Sequence, residues 1–262
     1  MDTSFVRFAL ATTPQAAEPA VAELRAIFSH AGFELEPIFA RNYGALYDAV
    51  HLHEADVAWA PPLVARDLRR DGAADPCATV VRKGGAHYFS AIVGAGALDS
   101  PRDIQRFGWV SRLSAAGYLV PRGYLQSLGM SVDFREERFF HTHARSMDAL
   151  AAGVVDAIAT YAVRDRAGEA ARVPHAFEGA RVLATIGPIP GDVVVVSRTV
   201  APGVGERVGE ILRSATLGEK SALAALMGAQ SFGAVPPDHL DAIGRWVAGS
   251  VFSRPRAVTA DL

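Results

Sequence analysis

Val81-Arg82-Lys83-Gly84-Gly85-Ala86-His87-Tyr88 is where the chain closes one alternation of strand and helix and begins another. Upstream, residues 5–10 read as a strand and 14–30 as a helix with Val21, Leu24, Ile27 and Phe28 on one stripe. Gly32 ends that helix, and 33–39 alternates as a strand with Pro37 near its edge. Residues 43–52 form a short helix and 55–60 an apolar strand closed by Pro61-Pro62, where a helix toward Arg70 begins. Such a regular exchange predicts parallel pairing with helices on both faces.

Downstream the pattern restarts. Residues 88–93, 109–113, 138–141 and 156–161 read as strands, with helices over 101–107, from the Ser114 turn to about Gly129, and over 145–152. Strands at 181–186 and 193–197 follow, separated by Gly187-Pro188-Ile189-Pro190-Gly191. Helices are expected over about 201–215, 219–228 and 237–250, with a basic tail from Ser253. Two α/β units joined near 83–86 and again near 187–191 fit this punctuation, because glycine permits unusual dihedrals and proline fixes φ. One continuous sheet with ordinary loops fits it as well.

Composition narrows the class. The chain has 262 residues, half of them hydrophobic (50%), enough to bury a real core and too apolar for disorder. Basic and acidic residues number 26 and 28, a formal charge of -2, so no basic field awaits a nucleic-acid backbone. Cys77 is the sole cysteine and sits in an apolar run, which excludes an internal disulfide and favours a buried small hydrophobe over a nucleophile. No apolar stretch of about 18 residues is present, so no membrane-spanning helix is expected. No basic segment followed by a long apolar run opens the sequence. The expected location is therefore periplasmic if a leader has been removed and cytoplasmic if this is the full gene product.

The most suggestive local chemistry is Leu113-Ser114-Ala115-Ala116-Gly117-Tyr118-Leu119. A strand running into a small-residue turn and a helix leaves backbone N–H groups free, and Ser114 either caps the helix or gives its hydroxyl to an anion. No Gly-Lys-Ser/Thr follows, so this is not a nucleotide phosphate loop. His141 and His143 lack further ligands at metal-site spacing, and His51 and His53 face different ways, so neither a metal nor another cofactor is expected. Arg82-Lys83-Gly84-Gly85 reads as a phosphate clamp or as a solvated hinge turn. No nucleophile elbow or Ser/His/Asp constellation is visible.

The ordered set Asn42-Tyr43-Gly44-Ala45-Leu46, Glu54 to Pro62, Val81 to Tyr88, Ser114 to Pro121, Phe140-His141-Thr142-His143, Gly153 to Ala157 and Pro188 to Asp192 resembles the phosphate/phosphite/phosphonate substrate-binding proteins of ABC transporters. The resemblance covers about residues 5–200. It implies a type 2 periplasmic-binding-protein fold: two α/β lobes, two crossovers and a cleft between them. One lobe would comprise 1–83 with 190–262, the other 84–189. It further implies that Tyr43, Tyr88, Ser114, Ala115, Ala116, Gly117 and His143 hold a small oxyanion, with Asp192 reaching it from the opposite lobe. Binding, for uptake through an ABC permease or for sensing, is expected rather than catalysis. The alternative is a cytoplasmic enzyme on the same fold, resembling the chorismate dehydratase of menaquinone synthesis or pyrimidine-synthesis proteins.

Two departures from the family pattern shape the expected ligand. Ser114 is followed by alanines, and losing a hydroxyl that would meet a phosphoryl oxygen costs about 1–3 kcal/mol if nothing replaces it. Where amine-phosphonate binders carry a glutamate, this chain has Val163. With Asp192 expected to repel a fully ionised phosphate, a singly charged oxyanion or a compact organic acid is favoured over an aminoalkylphosphonate.

Overall fold

The computed structural model describes residues 4–249 apart from 97, 131–133, 165–170, 175, 202 and 219. The first part of the chain runs β1 (Ser4–Leu10), α1 (Pro14–His30), β2 (Phe33–Phe39), α2 (Tyr43–His51), β3 (Val57–Ala60), α3 (Pro62–Arg70) and β4 (Ala74–Val81). Next come β5 (His87–Ala95), β6 (Arg106–Trp109), α4 (Val120–Ser127), β7 (Glu136–Phe139), α5 (His143–Ala151), β8 (Ala157–Ala162) and β9 (Ala180–Pro190). The last part holds β10 (Val193–Ser197), α6 (Val204–Ser214), α7 (Ala222–Met227), β11 (Ser231–Gly233) and α8 (Asp241–Gly249).

The valines of β10 show how the layers form. Val194 and Val196 enter one apolar cluster with Phe8, Leu24 and Phe28, while Val193 and Val195 enter another with Leu46, Val64 and Leu68. Successive side chains point to opposite faces, so a continuous valine run means burial on both. This sheet has six strands in the order β11-β4-β10-β3-β1-β2. β2 is an edge strand, which is where its Pro37 costs no ladder bond. A second sheet has five strands in the order β7-β6-β8-β5-β9. It too is covered on both faces: Ile92 packs with Phe107, Trp109 and Leu125, and Ala91 and Val93 with Leu150 and Ile158. The molecule is thus a two-lobed α/β protein. Ile243 and Trp246 of α8 join the cluster of the five-stranded sheet, so the returning chain leans on both layers.

The expectation of parallel pairing holds for β1 with β2 and β3 and for β6 with β7 and β8. It fails elsewhere: β10 is antiparallel to β3 and β4, β11 to β4, and β5 to β8 and β9. The reason is the route. The chain leaves the first sheet at the end of β4 and returns through Gly191-Asp192, so β10 runs back beside β4. The Gly/Pro stretch expected to separate two strands instead belongs to β9, which pairs His87 with Pro190 and Tyr88 with Ile189. One of its register shifts falls between Ile186 and Ile189, across Gly187-Pro188.

Other boundaries move for local reasons. The strand expected over 109–113 is β6, which ends at Trp109; beyond it Val110 donates to the Gly117 carbonyl and Ser114 to that of Ser111. The helix expected over 101–107 shrinks to a single turn at Pro101–Asp103. The strand expected over 138–141 stops at Phe139, and His141 takes a left-handed φ of 67°. The sequence reading missed β11, and its tail from Ser253 lies outside the described residues.

Candidate functional site

A cavity of about 520 Å³ opens between the two sheets. The six-stranded side contributes Tyr43 from the start of α2, Trp59 from β3, Arg82 just after β4, and Asp192 just before β10. From the other side come Tyr88, Ser114, Ala115, Ala116, His143, Tyr161, Val163 and Arg164. The structure therefore brings every site residue named from the sequence to one cavity except Gly117. Gly117 is buried behind the wall and its N–H donates to Ser114 Oγ at 3.0 Å. A side chain there would collide with Val110 and come within 2.8 Å of Ser114 Oγ, so the glycine serves close packing.

The Ser114 turn opens as a π-helical turn, Ala115–Leu119, continuous with α4. Leu119 donates to the Ser114 carbonyl at 3.0 Å, the wider spacing of that helix type. Ser114 both caps and faces the cavity: its oxygen accepts from Gly117 while its own proton remains available. Among the described residues, the N–H groups of Ala115 and Ala116 donate to nothing. From behind, the buried Ser90 hydroxyl donates to the Ala116 carbonyl at 2.7 Å and fixes the turn to β5. The result is a set of neutral donors at the positive end of a helix.

His143 is the first residue of α5, rather than lying before it, because Thr142 caps that helix by accepting from Arg145 N–H at 3.1 Å. Its Nδ1 lies 2.9 Å from Thr160 Oγ1, and its ring meets Tyr161 edge-on at 5.0 Å. Burial, only partly offset by Asp192, pushes its pKa down to about 4. At neutral pH it presents an uncharged imidazole.

Asp192 is paired within its own wall: its Oδ2 accepts from Arg82 Nη2 at 2.6 Å and from Trp59 Nε1 at 3.2 Å. Burial opposes the Arg82 charge, but Asp192 more than compensates and holds the guanidinium pKa above its usual value. Tyr43 and Tyr88 stand close by without hydrogen-bond partners among the described residues. Burial, with Asp192 second, pushes the Tyr43 phenol up to about 12 and the Tyr88 phenol well above its usual range. Both stay protonated and able to donate.

The sequence reading missed Trp59, Tyr161 and Arg164 as cavity residues, and left Arg82 between clamp and hinge. It is an internal clamp, holding Asp192. Trp59 looked like core because β3 is otherwise apolar, and Arg164 follows a strand with no pattern to mark it. Cys77 lies away from the cavity, and burial pushes its thiol up to about 12, so it is no nucleophile at neutral pH. Among the described residues no three His, Cys, Asp or Glu side chains are grouped to hold a metal, and no helix is long and apolar enough to cross a membrane.

A family model described as ABC transporter, phosphonate, periplasmic substrate-binding protein matches residues 8–240. Among solved structures, PhnD1 from Prochlorococcus marinus in complex with methylphosphonate is 14% identical, with a TM-score of 0.76 over 94% of this chain and 98% of that one. A Xanthomonas citri protein bound to ATP is 15% identical, with a TM-score of 0.75 over 94% and 96% of the two chains. A binding protein component of an ABC phosphonate transporter from Pseudomonas aeruginosa is 18% identical, with a TM-score of 0.71 over 95% and 90%. At these identities the likenesses speak for the fold. No curated protein matches the chain.

Proposed function

The chain belongs to the phosphonate periplasmic substrate-binding family of ABC transporters, and on that premise we propose that it captures a small oxyanion in the cavity between its sheets. The ligand class is a phosphonate, phosphite, phosphate or compact organic acid, delivered to an ABC permease or a sensor protein. The observation that carries this reading is the turn at Ser114: two unengaged N–H groups and a hydroxyl at a helix start, all lining the cavity. Tyr43, Tyr88 and neutral His143 add donors that carry no charge of their own, and Asp192 acts through Arg82 instead of meeting the anion. In this reading residues 1–83 and 190–262 form one lobe and 84–189 the other, with closure at Gly84–Ala86 and Gly191.

Calorimetric titration with phosphate, phosphite, methylphosphonate, aminoethylphosphonate and small carboxylates tests it. Saturable one-site binding of at least one oxyanion is expected, with aminoethylphosphonate weaker than methylphosphonate because Val163 offers an ammonium nothing. Tightest binding by aminoethylphosphonate would contradict the ligand reading. Failure of the whole panel would overturn capture of small oxyanions.

A further inference from the structure

Among the described residues lining the cavity the one carboxylate, Asp192, is already occupied by Arg82. Arg164 meets no carboxylate among the described residues. Its buried Nε has no hydrogen-bond partner among them, and its guanidinium rests 4.5 Å from the centre of the Phe89 ring. A buried guanidinium N–H without an acceptor is costly unless something else supplies one.

Its place in the cavity is fixed from two sides. Val163 and Arg172 exchange backbone hydrogen bonds at 2.9 and 2.8 Å, which pins the chain just before Arg164. Gly84, in the first crossover, lies so close to the Arg164 carbonyl that any side chain there would overlap it. Arg164 thus sits at the crossover end of the cavity, and the Ser114 turn sits elsewhere. Ser90 pairs with Tyr161 in the sheet and holds the Ala116 carbonyl, so the turn is level with Tyr161. Three residues further along the strand direction, at a rise of about 3.3 Å each, Arg164 is about 10 Å away.

We propose that the ligand carries two acid groups: an oxyanion head on the Ser114–Ala116 turn and a second acid, a carboxylate, on the Arg164 guanidinium. This rests on the oxyanion-capture reading above and adds the chemistry of the ligand's other end. The head site has donors without charge, whereas the far end has a cation whose buried Nε meets no acceptor among the described residues, so a short organic spacer joining a phosphonate to a carboxylate matches both. A guanidinium takes a carboxylate through two parallel N–H donors, an interaction a neutral alkyl end cannot make. The volume agrees: about 520 Å³ lies in the range of pockets for organic ligands, well beyond a bare oxyanion.

Calorimetry with 3-phosphonopropionate, propylphosphonate and 3-aminopropylphosphonate tests this on the wild type and on Arg164→Gln and Arg164→Lys, each first shown to melt like the wild type. 3-Phosphonopropionate should bind about tenfold or more tightly than propylphosphonate, as a charge-assisted hydrogen bond allows. Arg164→Gln should erase that preference, while Arg164→Lys should keep part of it. Equal affinities in the wild type, a preference that survives Arg164→Gln, or tightest binding by the amine would overturn the proposal. Propylphosphonate binding without a carboxylate gain would overturn this inference alone. Failure of all three ligands would overturn this inference as well, and only with failure of the small-oxyanion panel would the capture reading fall with it.

Discussion

The two walls of the cavity solve the same problem in opposite ways. On the six-stranded side, Asp192, Arg82 and Trp59 satisfy one another, so that wall faces the cavity with its charge already matched. On the five-stranded side, among the described residues, Ala115 and Ala116 keep free N–H groups, His143 is neutral and the buried Arg164 Nε has no acceptor. The difference teaches where recognition resides. A self-satisfied wall has little free energy to gain from a ligand, whereas unengaged buried donors gain a full desolvated hydrogen bond each. In this account the five-stranded side selects the ligand, and the six-stranded side closes over it with its aromatic rings.

The comparison can be strained first through His143. Its folded pKa of about 4 lies below the ordinary 6.5, so between those values the unfolded chain binds more protons than the native one. Stability should therefore fall as pH drops through that window, by at most about 3 kcal/mol, and be fully retained above it. Urea unfolding against pH checks this, with His143→Gln expected to flatten the curve between pH 6.5 and 4. An unchanged curve in the variant would show that the imidazole is not held neutral.

Breaking the matched wall comes next. Arg82→Met leaves Asp192 with Trp59 alone, and stranding a buried charge costs about 3–5 kcal/mol. The two side chains are 22% and 17% exposed, so about 2 kcal/mol is expected in urea unfolding, together with weaker anion binding as Asp192 is unmasked. If anion affinity were unaffected, the matched wall would have no bearing on the ligand.

Smaller effects sharpen the other side. Ser114→Ala removes a helix cap, worth about 1 kcal/mol of stability, and one ligand donor, worth about tenfold in affinity. Tyr88→Phe removes a hydroxyl with no partner among the described residues, so thermal stability should hold within about 0.5 kcal/mol while methylphosphonate affinity falls severalfold. Stability loss without affinity loss in both variants would make these residues purely structural.

Much of this was legible from local pattern. The strand–helix alternation before Val81 is built of elements that can be read one at a time, and the restart at His87 and the Ser114 turn are shorter still, so periodicity and capping speak directly. What stayed hidden is non-local. The Arg82–Asp192 pair joins residues 110 positions apart, and nothing near either one announces the other. The antiparallel entry of β10 depends on where β9 ends, which its prolines obscured by reading as a loop. Arg164 is one arginine after one strand, and only the fold shows that no described carboxylate meets it.

The central claim is that the five-stranded wall holds the oxyanion through the start of the Ser114 helix. Backbone amide NMR during titration with methylphosphonate tests it most directly. The account expects the Ala115 and Ala116 amide protons to move downfield and saturate together, while the Trp59 indole N–H, already donated to Asp192, moves little. Saturation that shifts the Trp59 indole and leaves Ala115 and Ala116 in place would contradict it.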